Sequence, residues 1–77
     1  MESQELRIFR EVARAGSISK AAVHLGYVQS NVTARIRKLE EELNAVLLIR
    51  HSKGVTLTAE GERLLTASED ILSLIHI

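Results

Sequence analysis

The side chains able to do chemistry cluster between residues 29 and 53. Gln29 and Asn31 carry carboxamides, Ser30 and Thr33 carry hydroxyls, and Arg35, Arg37, Lys38, Arg50 and Lys53 supply cations. A carboxamide presents a donor beside an acceptor, the pattern that pairs bidentately with the major-groove edge of adenine. The guanidinium fork of Arg35 matches either guanine or a phosphate. Covalent catalysis finds no support, because the sequence offers no nucleophile–base pair, no glycine-rich phosphate loop and no metal-ligand cluster. The chain therefore reads as a non-enzyme needing neither metal nor cofactor. It has no cysteine, hence no disulfide and no thiolate zinc site; His24 and His51 read as surface or turn residues rather than ligands.

Such groups act together only if the fold gathers them, and the average composition argues against that at first sight. The 77 residues have a formal net charge of zero, whereas nucleic-acid binders are usually basic. The distribution is uneven, however. Residues 12–39 contain Arg14, Lys20, Arg35, Arg37 and Lys38 and no acid, whereas Glu40, Glu41 and Glu42 follow at once. Folding is expected to bring the bases to one face and leave the acids on others. Only two aromatics, Phe9 and Tyr27, are present, too few for a base-stacking platform. No apolar run approaches the roughly 20 residues that span a bilayer, and the polar start Met1-Glu2-Ser3-Gln4-Glu5 is no signal peptide. A cytoplasmic protein with no membrane partner is expected.

The elements follow from periodicity and punctuation. Leu6, Phe9, Val12 and Ala13 give a first helix over Gln4 to Ala15, with Ser3 as its cap and Gly16 as its stop. Ser17-Ile18-Ser19 caps a short second helix that Gly26 closes, and its paired Ala21 and Ala22 suit a close helix approach. Val32, Ile36, Leu39 and Leu43 form the buried stripe of a third helix from Gln29 to Leu43. Glu40, Glu41 and Glu42 oppose its dipole and are expected to be solvated. The runs at 47–50 and 55–57 are β-prone and enclose His51-Ser52-Lys53-Gly54, a hairpin signal. Thr58 caps a last helix with Leu64, Leu65, Ser68, Ile71, Leu72 and Ile75 on one seam, longer than so small a core can use and read as a dimerisation surface.

Two modest helices joined by a tight glycine turn, the second polar outside, describe a helix-turn-helix; the hairpin makes it winged. At this point the sequence resembles the DNA-binding domain of the LysR-type transcriptional regulators. The residues that carry the likeness are Leu6-x-x-Phe9, Ala15-Gly16-Ser17-Ile18-Ser19-x-Ala21-Ala22, Leu25 and Gln29-Ser30-Asn31-Val32-Thr33. They continue as Ile36-x-x-Leu39-Glu40-x-x-Leu43, Leu47-x-x-Arg50 and Gly54-Val55-x-Leu57-Thr58-x-x-Gly61. The resemblance covers essentially the whole chain.

It implies a mainly helical, all-α winged helix-turn-helix domain over residues 1–58, with the helix-turn-helix at about 18–37 and the wing at about 47–57. Residues 59–77 would be a linker helix that pairs with its counterpart in a homodimer. The partner would be double-stranded DNA carrying an inverted repeat, met by Gln29, Ser30 and Thr33 and by Lys53 on the wing. Arg50 is open between a phosphate contact and a structural tie from wing to body. Full family members carry a larger effector-binding domain after the linker helix. None of it is in this sequence, so an isolated DNA-binding domain without an effector site is expected. Three positions depart from the family pattern: Val28 stands where a capping serine is common, Ala34 where an arginine is frequent, and Leu48 where phenylalanine is usual. The competing reading is a helical dimerisation module that does not read DNA.

Overall fold

Three helices form the body of the fold. The computed structural model describes the backbone of residues 3–75 and the side chains of residues 4–69. Helix α1 spans Ser3–Ala15, α2 Ile18–Leu25 and α3 Gln29–Leu43. The α1 boundary lies one residue earlier than expected, with Ser3 inside the helix rather than capping it. Gly16, at φ 68°, ends α1. Ser17 then caps α2, its Oγ accepting the Lys20 amide at 3.3 Å. Gly26, at φ 74°, closes α2, since the left-handed region costs glycine least.

Phe9 and Val12 of α1, Ala21 and Ala22 of α2, and Val32, Ile36 and Leu39 of α3 meet in one core. Leu47 and Leu48, entering the wing, close it from below. Each large apolar side chain fully buried here is worth about 1.5–3 kcal/mol. The buried arc of α1 is wider than its periodicity suggested: Ile8 and Glu5 are also buried, while Leu6 and Ala13 are half-buried. The reason is that α1 is central, packed against α2, α3, the second wing strand and the last helix.

Strands β1 (Leu48–His51) and β2 (Gly54–Leu57) form an antiparallel hairpin in which Leu48 pairs with Leu57 and His51 with Gly54. The two-residue turn is held by His51, whose Nδ1 accepts the Lys53 amide at 3.2 Å. Helix α4, Ala59–Ile75, follows directly. Its cap Thr58 accepts the Gly61 amide at 3.0 Å and donates to the Val46 carbonyl at 2.6 Å. Gly61 is required, because a Cβ there would run into the Leu47 carbonyl.

Glu40 corrects one expectation. Instead of lying in solvent with Glu41 and Glu42, it is half-buried, and its Oε2 accepts the amides of Leu47 at 2.8 Å and Leu48 at 3.4 Å. A carboxylate on α3 thereby anchors the start of the wing. Hydrogen bonds to a charged group are worth about 1.5–3 kcal/mol. Glu40→Ala is therefore expected to lower the stability measured by urea unfolding by roughly that amount. Glu41→Ala, on an exposed neighbour, should change it by less than about 0.5 kcal/mol.

Candidate nucleic-acid interface

With Val32, Ile36 and Leu39 turned inward, α3 presents its other residues to solvent. Gln29 and Ser30 are exposed in the first turn, Asn31 and Thr33 are half-buried, and Arg37 and Lys38 are exposed further along. Asn31 and Arg35 are one helical turn apart and engage each other, the Arg35 Nε donating to Asn31 Oδ1 at 3.4 Å. That contact occupies half of the Asn31 carboxamide. Gln29 makes no such contact among the described residues, which leaves its donor and acceptor together for an outside partner.

The wing docks onto the turn between α1 and α2. The Val55 amide donates to the Gly16 carbonyl at 3.0 Å, and a Cβ on Gly54 would collide with that oxygen. Close backbone approach thus requires glycine at 54 and carries Arg50, His51 and Lys53 over the start of α2. A cleft of about 320 Å³ results, lined by Ser17, Ser19, Gln29, Arg50, His51 and Lys53 among others, and no carboxylate lines it. Ser17 and Ser19 hold their hydroxyl oxygens 2.9 Å apart at its edge. Two cations, paired hydroxyls and the positive end of α2 give this cleft the chemistry that suits an anion. Beside it, a hollow of about 60 Å³ brings Thr33 and Arg37 of α3 to Arg50 of β1, with Glu40 also in its lining.

The structure thus gathers Gln29, Arg50 and Lys53 at one cleft and Thr33, Arg37 and Arg50 at the next, with Ser30, Asn31 and Arg35 on the same helix. Lys38 goes elsewhere. Its Nζ lies 3.4 Å from Oε1 of Glu5, a buried carboxylate of α1 with no hydrogen-bond partner among the described residues. Lys38, one of the cations read from the sequence, is thus also the counter-ion of a buried acid, while its own side chain stays 57% exposed. The sequence pattern marks Ser17 and Ser19 as capping residues only. The signal for more was present: hydroxyls at a helix start inside the acid-free stretch 12–39.

Acids pair away from the cleft: Glu69 with Arg14 at 3.8 Å, Glu11 with His24 at 3.7 Å, and Glu60 with Arg63 at 2.9 Å. On α4, the expected dimer seam begins inside the chain. Leu64 and Leu65 are half-buried against the core, and Ser68 is 1% exposed, its Oγ donating to the Leu65 carbonyl at 2.9 Å. The side chains of Ile71, Leu72 and Ile75 lie outside the described residues. Among the described residues no group of acids or histidines is arranged to hold a metal, and no helix is long and apolar enough to cross a membrane.

Comparison with known proteins agrees with this geometry. The family model described as bacterial regulatory helix-turn-helix protein, lysR family, matches residues 3–62. The HTH-type transcriptional regulators YusT and YofA of Bacillus subtilis are 56% and 57% identical over 75 residues, 97% of this chain. The chain spans about a quarter of the length of each, 25% and 26%. The DNA-binding domain of CbnR, solved in complex with DNA, superposes with a TM-score of 0.92 at 38% identity, covering 99% of this chain and 87% of that one.

The Lys38–Glu5 pair gives a test of where that lysine works. Lys38→Ala leaves a buried carboxylate without its cation and is expected to destabilise the fold by about 1–3 kcal/mol, the low end favoured by the exposure of the lysine. Adding Glu5→Gln should recover part of the loss in a double-mutant cycle followed by denaturant unfolding.

Proposed function

The chain belongs to the lysR family of bacterial regulatory helix-turn-helix proteins, and from that membership we propose that it binds double-stranded DNA sequence-specifically, as the DNA-binding part of a LysR-type transcriptional regulator acting in the cytoplasm. The observation that carries the proposal is the carboxylate-free cleft where the start of α3 faces the wing. In this reading α3 enters the major groove, and Gln29 reads a base edge with Ser30, Asn31, Thr33 and Arg35 around it. The phosphodiester backbone crosses the cleft against Ser17, Ser19, Arg50 and Lys53, with Arg37 at the neighbouring hollow. The complex of the CbnR DNA-binding domain with DNA supports this assignment by likeness of fold.

Two copies are proposed to pair through α4. Its seam is partly used within the chain by Leu64, Leu65 and Ser68, and the same helical spacing continues in the sequence at Ile71, Leu72 and Ile75. A two-fold pair presents two recognition helices and so selects an inverted repeat.

Titration of the chain against inverted-repeat duplexes selected from random DNA tests the function. Affinity is expected to fall linearly with salt on logarithmic axes, and Arg50→Ala or Lys53→Ala should each reduce the slope by about 1. Gln29→Ala should cost about 1–3 kcal/mol at one base pair per half-site. A folded protein that shows no salt-sensitive binding to any duplex would sink the proposal. Ile71→Asp, followed by sedimentation, is expected to yield monomers that lose the preference for paired half-sites.

A further inference from the structure

Val28 is an unusual residue for the place it occupies. Helices α2 and α4 begin at Ser17 and Thr58, whose hydroxyls accept amides of the first turn. Helix α3 begins at Val28, and no side chain caps it. The backbone there is extended, at φ −79° and ψ 151°, the geometry in which a serine or threonine would cap. The fold itself does not ask for valine: its side chain is 68% exposed and is not part of the core packing. The position thus forgoes a cap and leaves an apolar side chain in water. Val23, Val46 and Ile49 are exposed as well, but none of them adjoins a base-reading residue in the chain. Val28 directly precedes Gln29 and Ser30, both exposed.

We propose that Val28 is a specificity-determining residue that packs against the C5-methyl group of a thymine beside the base pair read by Gln29. The inference rests on the DNA-reading function proposed above and deepens it. The thymine methyl is the one apolar feature on a major-groove base edge, and an apolar side chain at the mouth of the recognition helix is its natural partner. A valine there removes water from the methyl at little entropic loss, because its single χ1 is already restricted. A serine, by contrast, would turn back onto its own helix amides.

The test replaces thymines by deoxyuridine one position at a time in the duplex selected by the 77-residue chain. Deoxyuridine lacks only the methyl group. Wild type is expected to lose about fourfold in affinity at one symmetry-related position of each half-site, the effect of one buried methyl. Val28→Ala alters both half-sites of the proposed dimer, so it should bind the unmodified duplex more weakly by about the square of that factor, roughly 15-fold, and be indifferent to deoxyuridine at that position. Val28→Ser, which adds a capping hydroxyl and so keeps the fold, should be indifferent as well. If no position responds in wild type, or if the response persists in both variants, the role of Val28 is overturned while DNA binding stands. Failure to select any duplex would overturn the underlying function and this inference with it.

Discussion

The interface depends on one close approach of two backbone segments. The Gly16 carbonyl accepts the Val55 amide at 3.0 Å, and only the absence of a Cβ at residue 54 lets the chains come so near. Gly16 has a second duty at the same point, since its φ of 68° ends α1. The end of α1 and the seat of the wing are therefore a single feature. A hairpin of two four-residue strands is not stable by itself. Its order comes from this docking, from the Thr58 amide bonded to the Leu47 carbonyl at 3.0 Å, and from Glu40 on the amides of Leu47 and Leu48. The cations of the wing are positioned by these hydrogen bonds together with the packing of Leu47 and Leu48 into the core. That is why Arg50 and Lys53 stand opposite the start of α2.

The same arrangement resolves the zero net charge. Glu40 faces wing amides, Glu5 is buried beneath Lys38, and Glu11, Glu60 and Glu69 sit in pairs with His24, Arg63 and Arg14. These acids have structural partners, and the main cleft has no carboxylate in its lining. A polyanion senses charge within about a Debye length, roughly 8–10 Å at physiological ionic strength. What matters at the surface is the local excess of cations, and a chain neutral as a whole can carry one.

Most of the secondary structure was legible because it is written in local rules. The α3 limits at Gln29 and Leu43 match those expected, although Leu43 is 37% exposed and does not join Val32, Ile36 and Leu39 in the buried stripe. Gly16, Gly26 and Thr58 punctuate the chain where their chemistry requires. The candidate readers on α3 were legible for the same reason, as the polar complement of that stripe. Apart from the start of α1 and the exposed Leu43, the failures are tertiary. Nothing in the residues near Glu5, Lys38 or Glu40 reveals that α1 lies over Lys38 or that β1 begins beside Glu40. Those depend on how elements pack, and a one-dimensional pattern does not encode it. Ser17 and Ser19 are legible as a cap but not as a wall of the cleft, because the wing that faces them lies more than thirty residues further along the chain.

Stability within α3 is distributed unevenly, and the unevenness follows the interface. Its C-terminal end is secured: Asn44 adopts the left-handed conformation, the Ala45 amide returns to the Glu40 carbonyl at 3.1 Å, and the Glu40 side chain holds the wing. Its N-terminal end has an exposed valine where a cap belongs, and first-turn amides that no side chain covers. Local rules that fail while the rest of the fold obeys them mark positions shaped by something outside the chain. An uncapped helix start also keeps its partial positive charge toward the solvent, where a phosphate or a base edge can meet it. The end of α3 that is least stabilised by its own chain is the end that faces the cleft.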